Sequence, residues 1–138
     1  MRGGSIAVDE RRRRPPSAKR LAQHSLFEHI QQIDGEPWEL EYLFAPLVPN
    51  STGKKLIHIR RWKFDIACPA LLLYVEVEGG MFGGGRHGGQ PSVVRDLEKR
   101  NAAACLGWRG VHVTPTQVNH GQAIIIVRAL LGLEAFQL

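Results

Sequence analysis

At 138 residues with 43% hydrophobic content, the chain is sized for one domain with a buried core and has no room for a second. No stretch approaches the roughly 20 apolar residues of a membrane helix, and the N-terminus carries no apolar leader, so neither membrane insertion nor secretion is expected. A net charge of +5 and a sequence pI near 9.7 favour a polyanionic partner.

Residues 1–18 read as a disordered basic arm, because Arg11 to Arg14 run into Pro15 and Pro16; residues 19–138 read as the single folded domain. The spacing of Leu21, Leu26, Ile30 and Ile33 predicts an amphipathic helix from Ala18 to Ile33, stopped by Asp34-Gly35. Trp38 to Phe44 reads as a strand, and residues 45–55, with Pro46, Pro49, Asn50 and Gly53, as a loop. Leu56 to Ala67 reads as one extended run. In its later part Trp62, Phe64 and Ile66 are expected on one face, with Arg61, Lys63 and Asp65 on the other.

Cys68-Pro69-Ala70 breaks that run, and Leu71 to Glu78 follows as the clearest strand of the chain. There Leu71, Leu73, Val75 and Val77 alternate with Leu72, Tyr74, Glu76 and Glu78. The glycine-dense segment 79–89 must be a loop. Pro91 suits the first turn of a helix running to about Leu106, with Gly107 as its stop. Trp108 to Thr114 reads as a strand, and Thr114-Pro115-Thr116-Gln117 as a capping box. A second box at Asn119–Gln122 is expected to open a last helix from Ala123 to about Leu131. The order α-β-β-β-α-β-α predicts an α/β or α+β domain whose mixed central sheet is flanked by helices. Cys68 and Cys105 lack metal-site spacing and read as two buried reduced thiols.

Glu76-Val77-Glu78 places two carboxylates on one strand face, about 7 Å apart. Such a pair repels and resists desolvation, so it either faces water or holds a cation. Asp65, on the polar face of the preceding strand, is expected opposite or diagonal to Glu76. Three carboxylates at one sheet edge, beside a glycine loop, offer the hard oxygen ligands that Mg²⁺ or Mn²⁺ takes. His87 in that loop is a candidate general base or phosphate ligand, or a loop histidine with no role. Asp96 and Lys99 share a helix face and could simply pair with each other.

Arg61 to Ala67, followed by Tyr74 to Gly80, resembles the two central strands of PD-(D/E)XK nucleases. The likeness continues through Gly85-Arg86-His87, Asp96 to Ala103 and Leu106 to Arg109, and spans about residues 38–131. It looks closest to a small phage-associated branch related to the very short patch repair endonucleases. The resemblance implies a restriction-endonuclease-like fold and a Mg²⁺-dependent (or Mn²⁺-dependent) endonuclease of DNA, cytoplasmic in a bacterial or phage-infected cell. It assigns the metal to Asp65, Glu76 and the carbonyl of Val77, with Glu41 as a possible early acidic ligand unless it merely lines an exposed edge. The third motif position, a lysine in the family, is Glu78 here. Either Glu78 adds a carboxylate to the metal, or the missing cation is Lys99, since the family lysine sometimes moves to this helix.

Arg61, Lys63, Arg86, Arg95 and Arg100 are expected to grip DNA phosphates around the site without reading sequence. Trp62, Phe64 and Trp108 read as core. A homodimer stays open, because cutting both strands often takes two copies. Two other classes also stay open: a non-catalytic DNA-binding module of the same fold, and a protein-binding adaptor docking through the basic arm. RNA stays open as a substrate.

Overall fold

The computed structural model describes residues 14–33, 35–79 and 90–137. Ser17 caps the first helix, α1 (Ala18–Gln31), by accepting from the amide of Arg20 at 3.2 Å. The other helices are α2 (Gln90–Cys105), α3 (Pro115–Asn119) and α4 (Gln122–Leu130). Among the described residues six strands accompany them: β1 (Glu39–Leu43), β2 (Leu47–Pro49), β3 (Leu56–His58), β4 (Lys63–Cys68), β5 (Leu73–Val77) and β6 (Arg109–Val113).

The central sheet has the order β1-β4-β5-β6. β1, β4 and β5 pair antiparallel, whereas β6 lies parallel to β5 and is reached through α2. The sheet is therefore mixed and flanked by helices, as the order of elements predicts. Alternation along β5 sorts its side chains into two cores. Leu73, Val75 and Val77 pack with Leu26 and Ile30 of α1 and Val127 of α4. Tyr74 packs on the other face with Phe64, Trp108 and Ala103 of α2.

Helix α2 stops at Gly107, whose φ of 86° is the left-handed conformation that glycine adopts freely. The amides of Trp108 and Gly107 turn back to the carbonyls of Ala103 and Ala104, both at 3.0 Å. The Thr114–Gln117 capping box also forms, with Pro115 in the first turn of α3.

Several expectations fail for local reasons. The stretch 45–55 is not only loop: β2 leaves it to pair with β3 in a separate two-stranded sheet. The run 56–67 is accordingly split between two sheets. Phe64 and Ile66 do not share a face, since Ile66 joins the α1 core and Phe64 the other. The break coincides with Glu41, which lies across from Asp65 on β1 and has a φ of 54°, outside strand geometry. Stacking of Phe64 between Phe44 and Tyr74, at centroid distances of 4.0 and 4.1 Å, holds it on its side. A 3-10 turn over Pro69–Leu71 delays the start of β5 to Leu73. No side chain caps α4; Gly121 holds its N-cap position with a left-handed φ of 75°. Cys68 is buried as expected, but Cys105 is exposed at the end of α2. No helix among the described residues is long and apolar enough to cross a membrane.

Candidate active site

Just past the C-terminal end of β5, α1 comes close to the backbone at Gly79. Gly79 makes this possible: a Cβ there would lie 3.0 Å from Cβ of Lys19 on α1. Lys19 thereby reaches round the sheet to 3.6 Å from Oδ2 of Asp65. From the opposite layer, α2 sends the ammonium of Lys99 onto Oε1 of Glu76. An open cavity of about 340 Å³ forms between these groups, with Asp65, Glu76 and Val77 on its wall.

Asp65 and Glu76 do share the sheet face and stand side by side. The main-chain amide of Asp65 donates to Oε2 of Glu76 at 3.3 Å, and the amide of Val77 donates to Oδ2 of Asp65 at 2.8 Å. Each residue is only 7% and 8% exposed, respectively. Burial pushes the Glu76 carboxyl up to about 7; Lys99 opposes that rise and the charge of Asp65 reinforces it. Two carboxylates are thus desolvated together, with one ammonium in contact and a second nearby.

Glu78 lines the same cavity but turns to other partners. Its Oε1 lies 2.7 Å from Nδ1 of His112 and 3.7 Å from Arg100. The bond with His112, and the charges of His112 and Arg100, hold the Glu78 carboxyl below its usual range despite partial burial. Glu41 also points elsewhere. Burial would raise its pKa, but Lys63, in direct contact with Oε2, and Gln23, donating to Oε1 at 2.9 Å, hold it low. Asp96 lines the cavity too, and Lys99 pairs with Glu76 instead of with it.

The basic residues divide. Arg61, Lys63 and Arg100 border the cavity, whereas Arg95 is exposed and away from it. Arg86 and His87 lie outside the described residues. Trp108 and Phe64 are core side chains, and Trp62 packs against the same aromatic cluster.

Three participants were not anticipated. Gln23 of α1, 3% exposed, ties the carbonyl of Asp65 to the carboxylate of Glu41 with its amide nitrogen. Lys19 arrives from the same helix. His112 lies beside Glu76 in the parallel register of β5 and β6. Only His112 had a sequence signal: it sits an even number of residues from Trp108 on the strand that follows the crossover helix.

Among the described residues, no group of three or more His, Cys, Asp or Glu is placed to hold a metal ion. Asp65 and Glu76 nevertheless fit a hard divalent cation. Both are oxygen donors on the wall of one open cavity, and Mg²⁺ commonly takes one or two carboxylates and completes its shell with water and phosphate. No protein-family model, curated protein or solved structure matches the chain.

Proposed function

We propose that this chain is a metal-dependent DNA endonuclease of the PD-(D/E)XK type, hydrolysing phosphodiester bonds in the cavity at the end of β5. The observation that carries the reading is the buried Asp65–Glu76 pair with Lys99 on Glu76, inside a cavity bordered by Arg61, Lys63 and Arg100. Asp65 and Glu76 would hold Mg²⁺ or Mn²⁺, with the Val77 carbonyl as a further ligand. When bound, such an ion lowers the pKa of an attacking water and polarises the phosphate.

The remaining chemistry belongs to the chain. Lys99, delivered by a helix instead of by β5, replaces the lysine that Glu78 displaces, and offers positive charge to the phosphate as it gains charge in the transition state. Glu78 orients His112 and Arg100 on the cavity wall, so that its carboxylate serves a cationic pair. Gln23 and Lys19 position Asp65 from behind. Arg61 and Lys63 bind flanking phosphates by charge alone.

The test is cleavage of supercoiled and branched DNA in Mg²⁺ or Mn²⁺. Cutting should vanish in Asp65→Ala and fall roughly 100-fold or more in Lys99→Ala. Binding without cutting, in either metal, overturns the enzyme and leaves a DNA-binding module of the same architecture.

A further inference from the structure

Between Glu41 and Asp65 the chain carries Lys54, Lys55, Arg60, Arg61 and Lys63, and not one acidic residue. The middle of this stretch is the β2–β3 ribbon, which forms its own sheet apart from the central one. Its bases are tied down: the amide of Ile59 donates to Pro46 at 2.9 Å, and that of Phe44 to Trp62 at 3.2 Å. Its tip is ordered as well. Oδ1 of Asn50 accepts from the amides of Lys54 and Lys55 and from the hydroxyl of Thr52, and Gly53 takes a left-handed φ of 69°. Lys54 and Lys55 are thereby presented at the end of a built projection.

The strands themselves are uncovered. Register places Leu47 and Leu56 on one face of the ribbon and Ile57 on the other, and all three are about half exposed or more. A two-stranded ribbon alone in water is marginally stable, and apolar residues exposed on both faces mark an interaction surface. Charge selects the partner: a projection with cationic tip and base and no acid suits a polyanion. Shape narrows it further. The major groove of B-form DNA admits a two-stranded ribbon, whereas the major groove of an A-form RNA duplex is too deep and narrow.

We infer that the β2–β3 ribbon enters the major groove of B-form DNA. Lys54 and Lys55 grip phosphates at its tip, while Leu47, Leu56 and Ile57 lie against the groove wall. The ribbon runs through Arg60 directly into Arg61, Trp62 and Lys63, which line the cavity. A duplex held by the ribbon therefore passes the carboxylates. The inference rests on the nuclease reading for its substrate, and adds that the substrate is double-stranded DNA.

The experiment measures the affinity of wild type, Lys54→Ala/Lys55→Ala and Lys54→Arg/Lys55→Arg for a short fluorescent DNA duplex across a salt series, with plasmid cleavage alongside. The alanine pair should weaken binding roughly tenfold and flatten the salt slope by about 2, one counterion per lost phosphate contact, while the arginine pair restores both. Cleavage at sub-saturating DNA should fall in step with the affinity and return with the arginine pair. Wild-type cutting with an affinity and slope indifferent to the alanine pair overturns the ribbon and leaves the nuclease intact. Ribbon-dependent binding by a chain that never cuts overturns the nuclease and supports the ribbon. Equal affinity for duplex RNA, or a two-chain mass that becomes one chain in Leu56→Lys, overturns the ribbon as a DNA contact.

Discussion

Glu76 is a carboxyl group that burial drives toward its neutral form, while its neighbour Asp65 and its partner Lys99 pull in opposite directions. The consequence for stability has a definite sign. The raised folded value, about 7 against 4.5, means that the folded chain keeps a proton that the unfolded chain loses in this window. Stability contributed by this group is then present at and below about pH 4.5, and falls as the pH rises toward 7. Glu78 and Glu41 act oppositely, since their lowered values give stability that is present above about pH 4.5 and lost in acid. The two effects occupy different windows and can be separated. Thermal unfolding followed from pH 4.5 to 8 in chelator should show a midpoint that declines for wild type and stays nearer level for Glu76→Gln. Parallel curves for the two proteins would mean that Glu76 is not buried as a charge.

Elements, more than single residues, decide what can stand near the site, and Gly110 on β6 shows how. It is paired with Tyr74, and a Cβ at Gly110 would fall 2.4 Å from the tyrosine ring. That ring is stacked on Phe64, which is stacked in turn on Phe44, so nothing behind it can yield. Gly110→Ala should therefore destabilise by about 1–3 kcal/mol through overpacking, measured as a lower denaturant midpoint with an unchanged slope. The same elements show what could be read in advance. Hydrophobic alternation disclosed β5, and glycine and proline disclosed both ends of α2 and the start of α3, because those signals are local. The pairing of Asp65 with Glu76 was also legible, since β4 and β5 are neighbours across one short connection. The β2–β3 ribbon was not: three-residue strands broken by Pro49 and Asn50 carry no period to detect. Nor were Lys19 and Gln23, whose arrival depends on how closely α1 approaches Gly79. The even spacing of His112 from Trp108 signalled its face, but its place beside Glu76 required the register of a parallel pair, which a crossover helix leaves unspecified.

At the scale of the whole molecule, the cavity is the place where the sheet and both helical layers meet. Asp65 and Glu76 come from β4 and β5, while Lys19 and Lys99 come from helices packed on opposite faces. A cation that binds Asp65 and Glu76 relieves repulsion in the native state alone, because the unfolded chain does not bring those residues together. Binding must then raise the stability of the entire fold. At a concentration 100 times its dissociation constant the ion contributes about 2.7 kcal/mol, which for a chain of this size is a rise in melting midpoint of roughly 5–12 °C. Mn²⁺ and Mg²⁺ should each produce such a rise at neutral pH, chelator should reverse it, and Asp65→Asn/Glu76→Gln should abolish it. Because Glu78 is engaged by His112 and Arg100, Glu78→Gln should leave most of the rise in place. If Glu78→Gln instead removes the rise as fully as the Asp65–Glu76 double variant, then the glutamate swings onto the ion on binding, and the metal site has three carboxylates in place of two.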